Sequence, residues 1–412
     1  ALCANTTADN NTAVGFCSLK NNTTGEDSVA VGGNSLDANT TGSYNNAVGR
    51  NSLTTNTTGT KNNAFGHSSL ELNTEGDNNV AFGHKSLEAN TTADNNTAIG
   101  FQSLLANTTG SESDALGSCA LCSNTTGCRN VAIGKGAMLL NTEGECNVAV
   151  GHTALSAQTT GDCNTALGVK ALNTNTTASN NTAVGFKSLA ANTTGTSNTA
   201  LGTNSLCANS TASNNTAVGR DSLDANTTGD KNTAIGKGSL TRNTTAGCNT
   251  GVGVDTLLFT TTGTKNVAVG NLALAFNTTG GNNVSVGVCA LYDNTTAVGN
   301  TAVGTNSLCS NTTGFNNTAV GNCSGNDVTT GDCNTFIGAF AAYQATTGSN
   351  NTAVGDQALS LTTTASDNTA VGRSALRSNT TGTNNVAVGK NALTANTTAN
   401  NNIAIGLDSL CV

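Results

Sequence analysis

The sequence contains neither proline nor tryptophan, and aromatic residues make up only 3% of its 412 residues. With so few large side chains, the chain lacks the bulk for the core of an ordinary globular domain. Charged residues are also scarce, at 10%, and the formal net charge is −8. No basic stripe is present, which argues against nucleic acid as a partner. No apolar run approaches the roughly 18 residues of a membrane span.

Glycine, in contrast, is abundant and periodic. A glycine recurs every 17 residues from Gly15 to Gly406, 24 times in all, without insertion or deletion. The repeat reads N-[TV]-A-[VIL]-G-x-x-[SA]-L-x-x-N-T-T-[GA]-x-x. Disorder would not need such fixed positions, so this period predicts one continuous repeat array over residues 1–412. The chain begins with Ala and no signal peptide precedes it, which indicates a mature chain or a piece of a longer one.

Each repeat contains a short alternating stretch, for example Thr216-Ala217-Val218. The position of Val218 is always apolar, so we expect it to face inward together with Thr216, leaving Ala217 on the outer face. Leu223 marks a second inward position, and its equivalents are Leu everywhere except at three coils: Met138, Gly325 and Ala342. About three buried side chains per repeat are too few to fold alone, so the repeats must stack.

These features predict an all-β fold, a parallel β-solenoid with 24 coils and one 17-residue coil per repeat. At about 4.8 Å per coil the array would be about 115 Å long. We expect a tight corner or a single helical turn at Ser-Leu. The invariant glycine is expected to need a positive φ, whereas the Gly after Thr-Thr, which Ala8 and Ala93 replace, is not. Asn before each strand, as in Asn232, is expected to form a structural ladder.

Fourteen cysteines without a metal-binding pattern indicate an oxidising, extracellular setting. Cys146 and Cys163 lie one repeat apart, so a Cα separation near 4.8 Å would fall within disulfide range. The other candidates join the position just after the leucine to the position two before it. The predicted disulfides are Cys3–Cys17, Cys119–Cys122, Cys146–Cys163 and Cys309–Cys323. No obvious partner is found for Cys207, Cys248, Cys289 and Cys333.

No constellation predicts an enzyme, a cofactor or a metal. Cys119 and Cys122 form a C-x-x-C pair, but no second pair follows at a zinc-ribbon spacing. The three histidines each follow the invariant glycine, a turn position where solvated side chains are the usual interpretation. These are His67, His84 and His152.

The Asn-Thr-Thr segment has two interpretations, as a turn or as an N-glycosylation acceptor. The phase is an acceptor sequence in 17 coils, and the candidate residues are Asn5, Asn22, Asn39, Asn56, Asn90, Asn107, Asn124, Asn175, Asn192, Asn209, Asn226, Asn243, Asn277, Asn294, Asn311, Asn379 and Asn396. Further acceptors lie just before the strand, at Asn10, Asn95, Asn180, Asn214, Asn316 and Asn350. The threonine rows also suggest an ice-binding solenoid, although adjacent threonines on a strand face opposite sides, so only one rank would meet ice.

The Asn-Thr-Ala-Val-Gly, Ser-Leu and Asn-Thr-Thr-Gly elements resemble the tandem NTAxGxxALxxNTTGxx repeats of bacterial and phage tail-fibre-like surface proteins. They are similar, more distantly, to the head repeats of trimeric autotransporter adhesins. The resemblance covers the whole chain. It implies an extended β-solenoid shaft outside the cell, often trimeric in the adhesin relatives. No functional residues carry over, because these families use the repeat as a shaft.

The leading hypothesis is therefore a structural protein, part of an extracellular fibre or a cell or virion surface appendage. The alternatives are an adhesin or receptor-binding stalk and, third, an ice-binding solenoid. Cys3 and Cys411 occupy the same repeat phase, and neither end shows an atypical capping repeat. We expect the last coil of one chain to dock on the first coil of the next, with these two cysteines at the junction, giving a head-to-tail homopolymer. Lateral or trimeric association and covalent glycans are compatible with this hypothesis.

Overall fold

The computed structural model describes residues 1–411. The chain divides into two compact units, the first comprising Ala1–Asn204 and the second beginning at Ser205. Both are parallel β-solenoids, which confirms the predicted fold class. Over residues 1–411 there are 24 strands, each three residues long, and no helix. The single array over 1–412 stays a prediction.

The first unit stacks β1–β12, each strand hydrogen-bonded in parallel to the next. The pairing advances by one repeat without slippage, so that Ala13 lies opposite Ala30. The strands are Thr12–Val14, Val29–Val31, Asn46–Val48, Asn63–Phe65, Val80–Phe82, Thr97–Ile99, Asp114–Leu116, Val131–Ile133, Val148–Val150, Thr165–Leu167, Thr182–Val184 and Thr199–Leu201.

The second unit stacks β13–β24 in the same way, with Ala217 opposite Ala234. Its strands are Thr216–Val218, Thr233–Ile235, Thr250–Val252, Val267–Val269, Val284–Val286, Thr301–Val303, Thr318–Val320, Thr335–Ile337, Thr352–Val354, Thr369–Val371, Val386–Val388 and Ile403–Ile405.

The side chains of each strand point the opposite way from the sequence prediction. The central Ala217 is fully buried, whereas Thr216 and Val218 are only half-buried on the outer face. The same pattern, with a buried centre and more accessible flanks, recurs along both units. The interior beside each strand is narrow, because the leucine from the corner fills it. Only alanine fits there in most coils.

The corner at Ser-Leu is a tight turn rather than a helical turn. Leu223 is fully buried, as predicted, and has a left-handed backbone with φ of 50°. Asp221, two residues earlier, is also left-handed, with φ of 57°. Left-handed conformations cost non-glycine residues free energy, so burial of the leucine must offset this cost in each coil that has one. The turn is locked by Ser222, whose hydroxyl donates to the carbonyl of Gly219.

The invariant glycine ends each strand in a conformation that a side chain would not fit. Gly100 has a φ of +138°, and a Cβ there would lie 2.7 Å from the carbonyl carbon of Gly117 in the next coil. This confirms the positive φ expected at that phase. The glycine after Thr-Thr, in contrast, is not left-handed, as at Gly42.

Two asparagine ladders run inside each unit and replace a second hydrophobic layer. In the Asn-Thr-Thr turn, Asn56 Nδ2 donates to Asn39 Oδ1 of the preceding coil at 2.8 Å and to the Gly59 carbonyl at 3.0 Å. In the ladder before the strands, Asn45 Oδ1 accepts from the backbone N–H of Asn62 at 2.9 Å. The structural role expected for this second asparagine is confirmed. Because most of these amides are bonded to a neighbouring coil, the polar side chains can lie in the interior. Exceptions are Asn243 and Asn311, each with a buried Oδ1 that has no partner.

Candidate functional surfaces

The cysteines do not form the predicted disulfides. All fourteen lie within the described residues and none is in a disulfide, so the predictions of Cys3–Cys17, Cys119–Cys122, Cys146–Cys163 and Cys309–Cys323 are wrong. For stacked residues such as Cys146 and Cys163 the reason is geometric. Equivalent side chains of adjacent coils point the same way, which leaves their Cβ atoms about 4.8 Å apart, beyond the roughly 3.8 Å that a disulfide prefers.

Cys119 and Cys122 nevertheless share one environment. Burial, followed by the charge and hydrogen bond of the Cys119 thiol, raises the pKa of Cys122 to about 11. Burial, with the Asp293 carboxylate next in importance, also raises the pKa of Cys309 to about 11. A raised pKa keeps a thiol protonated and unreactive near neutral pH. These two cysteines therefore behave as small half-buried side chains rather than as nucleophiles.

The Asn-Thr-Thr asparagines are not accessible glycan acceptors. Fifteen of the 17 candidates have no exposed surface, namely Asn22, Asn39, Asn56, Asn90, Asn107, Asn124, Asn175, Asn192, Asn209, Asn226, Asn243, Asn277, Asn294, Asn311 and Asn379. Asn396 is part-buried and its Nδ2 is bonded to Asn379 Oδ1, and Asn5 is exposed. A glycan on a buried Nδ2 has no space, so the acceptor interpretation is wrong for those fifteen, and the turn interpretation explains them.

The two threonines of the same turn have different roles. The first is bonded along the stack, since Thr57 Oγ1 donates to the Thr74 carbonyl at 3.0 Å. The second, at Thr58 and at Thr41, is exposed. The turn therefore presents a single row of exposed threonine side chains, which lies in a bend of the chain and not on a strand.

The outward face of the strands contains an apolar row, which the alternation pattern had assigned to the interior. Its third position is Val, Ile, Leu or Phe in all 24 strands, and it is substantially accessible, with Phe82 56% exposed and Ile235 40% exposed. Asp114 is the one charged side chain among the outward positions of the described strands. The missed signal was the near-invariance of the central alanine, since a tightly packed position tolerates the least variation.

Other polar and aromatic clusters form closed stacks. The rings of His67 and His84 lie 5.3 Å apart, centroid to centroid, and are stacked. Phe259 and Phe276 stack at 4.9 Å, with the Arg242 guanidinium over the outer side of Phe259. Within each stack the rings cover one another's faces. Among residues 1–411 no group of three or more His, Cys, Asp or Glu side chains is placed to hold a metal ion.

A shallow cleft lies beside Leu393, Asn396, Asn402 and Leu410, and its lining contains no titratable side chain. None of the described residues forms a helix of the length and hydrophobicity needed to cross a membrane. No protein-family model matches the chain, and comparison with curated proteins finds no similar sequence.

Proposed function

We propose that the chain is a structural protein, the shaft of an extracellular fibre or surface appendage. The observation that carries the proposal is the direction of its bonding. In each unit, backbone and side chains bond mainly to the neighbouring coil, as in the ladder from Asn73 Nδ2 to Asn56 Oδ1 at 2.8 Å. Such stacks resist stretching and bending along their axis, because every coil is tied to the next by several bonds.

The same geometry supports head-to-tail assembly. One side of a coil presents the donors and acceptors that the other side of an identical coil requires, as the register of β13 on β14 demonstrates. Two copies can therefore meet through the contact that already joins coils within one unit. A contact between two different surfaces does not close on itself and generates a filament.

We assign the fibre no catalytic activity and no cofactor. Its extracellular location is part of the proposal and is supported by the resemblance of the repeat to tail-fibre-like surface proteins. The free thiols no longer add support for an oxidising compartment. Glycans on the buried Asn-Thr-Thr asparagines are not part of the proposal, because the fold has no room for them.

Electron microscopy of the purified full chain at increasing concentration tests the fibre role. We expect filaments whose lengths spread over many multiples of one chain. The matched variant is Gly406→Ala, because an added Cβ there meets nothing within 4 Å in the chain itself but would meet the first coil of the next copy. This variant should form fewer and shorter filaments. Single rods of one fixed length at every concentration would overturn head-to-tail assembly.

A further inference from the structure

The outward strand face, defined by the first and third residues of each strand, is the largest feature that the fibre role does not explain. In β18–β22 it presents a rank of threonines beside a rank of valines or isoleucines. The paired residues are Thr301 with Val303, Thr318 with Val320, Thr335 with Ile337, Thr352 with Val354, and Thr369 with Val371. In eight other strands the first residue is also valine or isoleucine, as in β16, and in the rest it is Thr, Asn or Asp.

Solvent is an unfavourable neighbour for this face. The third-position side chains are apolar, and the first-position side chains are threonine, valine or isoleucine in all but three strands. The shaft would be equally well built with charged residues there, because nothing inside the coil depends on them. Contiguous apolar patches of more than a few hundred Å² on soluble proteins usually mark an interaction surface. The exposed threonine rank of the Asn-Thr-Thr turn shows that this chain does place polar residues at other outward positions.

We infer that the outward strand face docks on the same face of a second copy of this chain. The available area supports a stable pair. Twelve strands at about 4.8 Å make the face of one unit about 58 Å long, and three residues make it about 10 Å wide. Pairing two such faces removes about 1,100 Å² from solvent, more than the roughly 1,000 Å² that a specific interface needs.

The period and the charge of the face favour a second copy over an unrelated partner. The side-chain ranks repeat at the rise of one coil, so another solenoid of the same rise can interdigitate with them along the whole unit. The face is almost uncharged, with Asp114 as its one charged residue, so identical surfaces meet without repulsion between like charges. A two-fold pair of this kind uses the same patch on both copies.

This lateral contact does not rest on head-to-tail assembly. It involves the sides of the coils, whereas the fibre contact involves their ends. Lateral pairs without filaments would support the lateral contact and contradict head-to-tail assembly. Single-file filaments without pairs would support head-to-tail assembly and contradict the lateral contact.

Three lysines on the face provide the test: Thr301→Lys, Thr335→Lys and Thr369→Lys in one variant. They lie in alternate coils, about 10 Å apart, which limits repulsion within one chain. The matched control places the same charge on the exposed threonine rank of the turn, with Thr313→Lys, Thr347→Lys and Thr381→Lys. Sedimentation equilibrium gives the association constant, and electron microscopy distinguishes single from paired rods.

We expect the wild-type chain and the control to form side-by-side pairs, and the face variant to have at least a tenfold higher dissociation constant for pairing. Circular dichroism verifies that each variant is folded. If the triple lysine variant does not fold, Thr318→Asp replaces it, because Asp114 occupies the equivalent position in β7. Pairing that is equally strong in the folded face variant would overturn the inference. A wild-type chain that stays unpaired at high concentration would also overturn it. The same holds for a wild-type chain that stays unpaired and binds to growing ice.

Discussion

The aromatic ring of Phe336 lies against Gly325, where an added Cβ would sit 2.8 Å from the Phe336 Cδ2 atom. In most other coils these two positions are Ala and Leu, so the large and small residues have exchanged places. Ala342, in the following coil, also replaces the usual leucine. Phe336 is fully buried despite its size. The core is therefore filled across neighbouring coils, and a change in one coil is compensated in the next.

Restoring the usual leucine at Gly325 should be destabilising by about 1–3 kcal/mol, because the space is already occupied. The left-handed backbone adds to this loss, because Gly325 has a φ of 58°, close to the 48° that Leu308 adopts at the equivalent position. Thermal or urea unfolding measures the loss. Combining Gly325→Leu with Phe336→Ala should recover most of the stability. If the double variant is less stable than Gly325→Leu alone, the proposed exchange of volume is wrong.

The asparagine ladder contains a repairable gap at Thr260. Asn243 Oδ1 is buried there without a partner, and the bond from Asn277 Nδ2 to the preceding coil is a long one, to the Thr260 hydroxyl at 3.4 Å. Thr260→Asn should supply a donor to Asn243 Oδ1 and an acceptor to Asn277 Nδ2. It should therefore raise the free energy of unfolding by about 1 kcal/mol. Thr362→Asn is the control, because Ala345 in the preceding coil offers no acceptor. Equal gains from both substitutions would contradict the ladder explanation.

Adjacent glycines provide a paired test of the strand end. Gly32 has a φ of +137°, and a Cβ there would lie 2.6 Å from the carbonyl carbon of Gly49. At Gly33 an added Cβ meets nothing within 4 Å. We expect Gly32→Ala to lower the free energy of unfolding by more than about 2 kcal/mol, and Gly33→Ala to change it by about 0.5 kcal/mol at most. Similar losses for both, in denaturant titrations, would show that neither φ nor close approach matters.

The half-buried thiols should resist alkylation. With the pKa of Cys122 raised from 9.0 to about 11, its thiolate fraction at pH 8 is lower by about 100-fold than that of an unperturbed cysteine. Cys309 should behave in the same way. Iodoacetamide labelling followed by peptide mass spectrometry should show Cys3, which is exposed, labelled well before either. Labelling of all three at one rate would refute the burial effect.

The same pKa shifts predict loss of stability in alkali. Both thiols hold their protons more tightly in the folded chain, so their contribution is complete below about pH 9 and is lost as the pH rises towards 11. Melting temperatures of the wild type should therefore fall over this range. A Cys122→Ser, Cys309→Ser variant should show a smaller fall, and an identical fall would exclude the thiols as its cause.

The repeat period and the leucine phase were sufficient to predict the fold, because a fixed spacing of 17 residues admits only stacked coils. Which side chains of each strand point into the core was not predictable from alternation alone. Thr216 and Val218 share one face and Ala217 takes the other, but alternation does not tell which face is inside. The size of the cavity decides it, and that size depends on how far Leu223 reaches across the coil.

The candidate sites were harder to predict, because residue type and exposure diverge in this fold. Asn226 begins an N-glycosylation acceptor sequence, yet its amide is part of a buried ladder. Cys146 and Cys163 are close in the stack, yet close Cα atoms do not ensure a suitable Cβ separation. The first error arose from treating the repeat as a surface pattern, whereas its asparagines form much of the interior. The second arose from considering Cα positions without the direction of the side chains.

The unbroken register of the coils also determines how this protein can change during evolution. A one-residue insertion displaces a coil from both ladders and from the strand pairing, so it should be eliminated by selection. Gain or loss of one complete repeat leaves each remaining junction equivalent to the others. Unequal recombination between the similar repeats can therefore lengthen or shorten the molecule in uniform steps, and natural variants of this chain should differ by whole multiples of one coil.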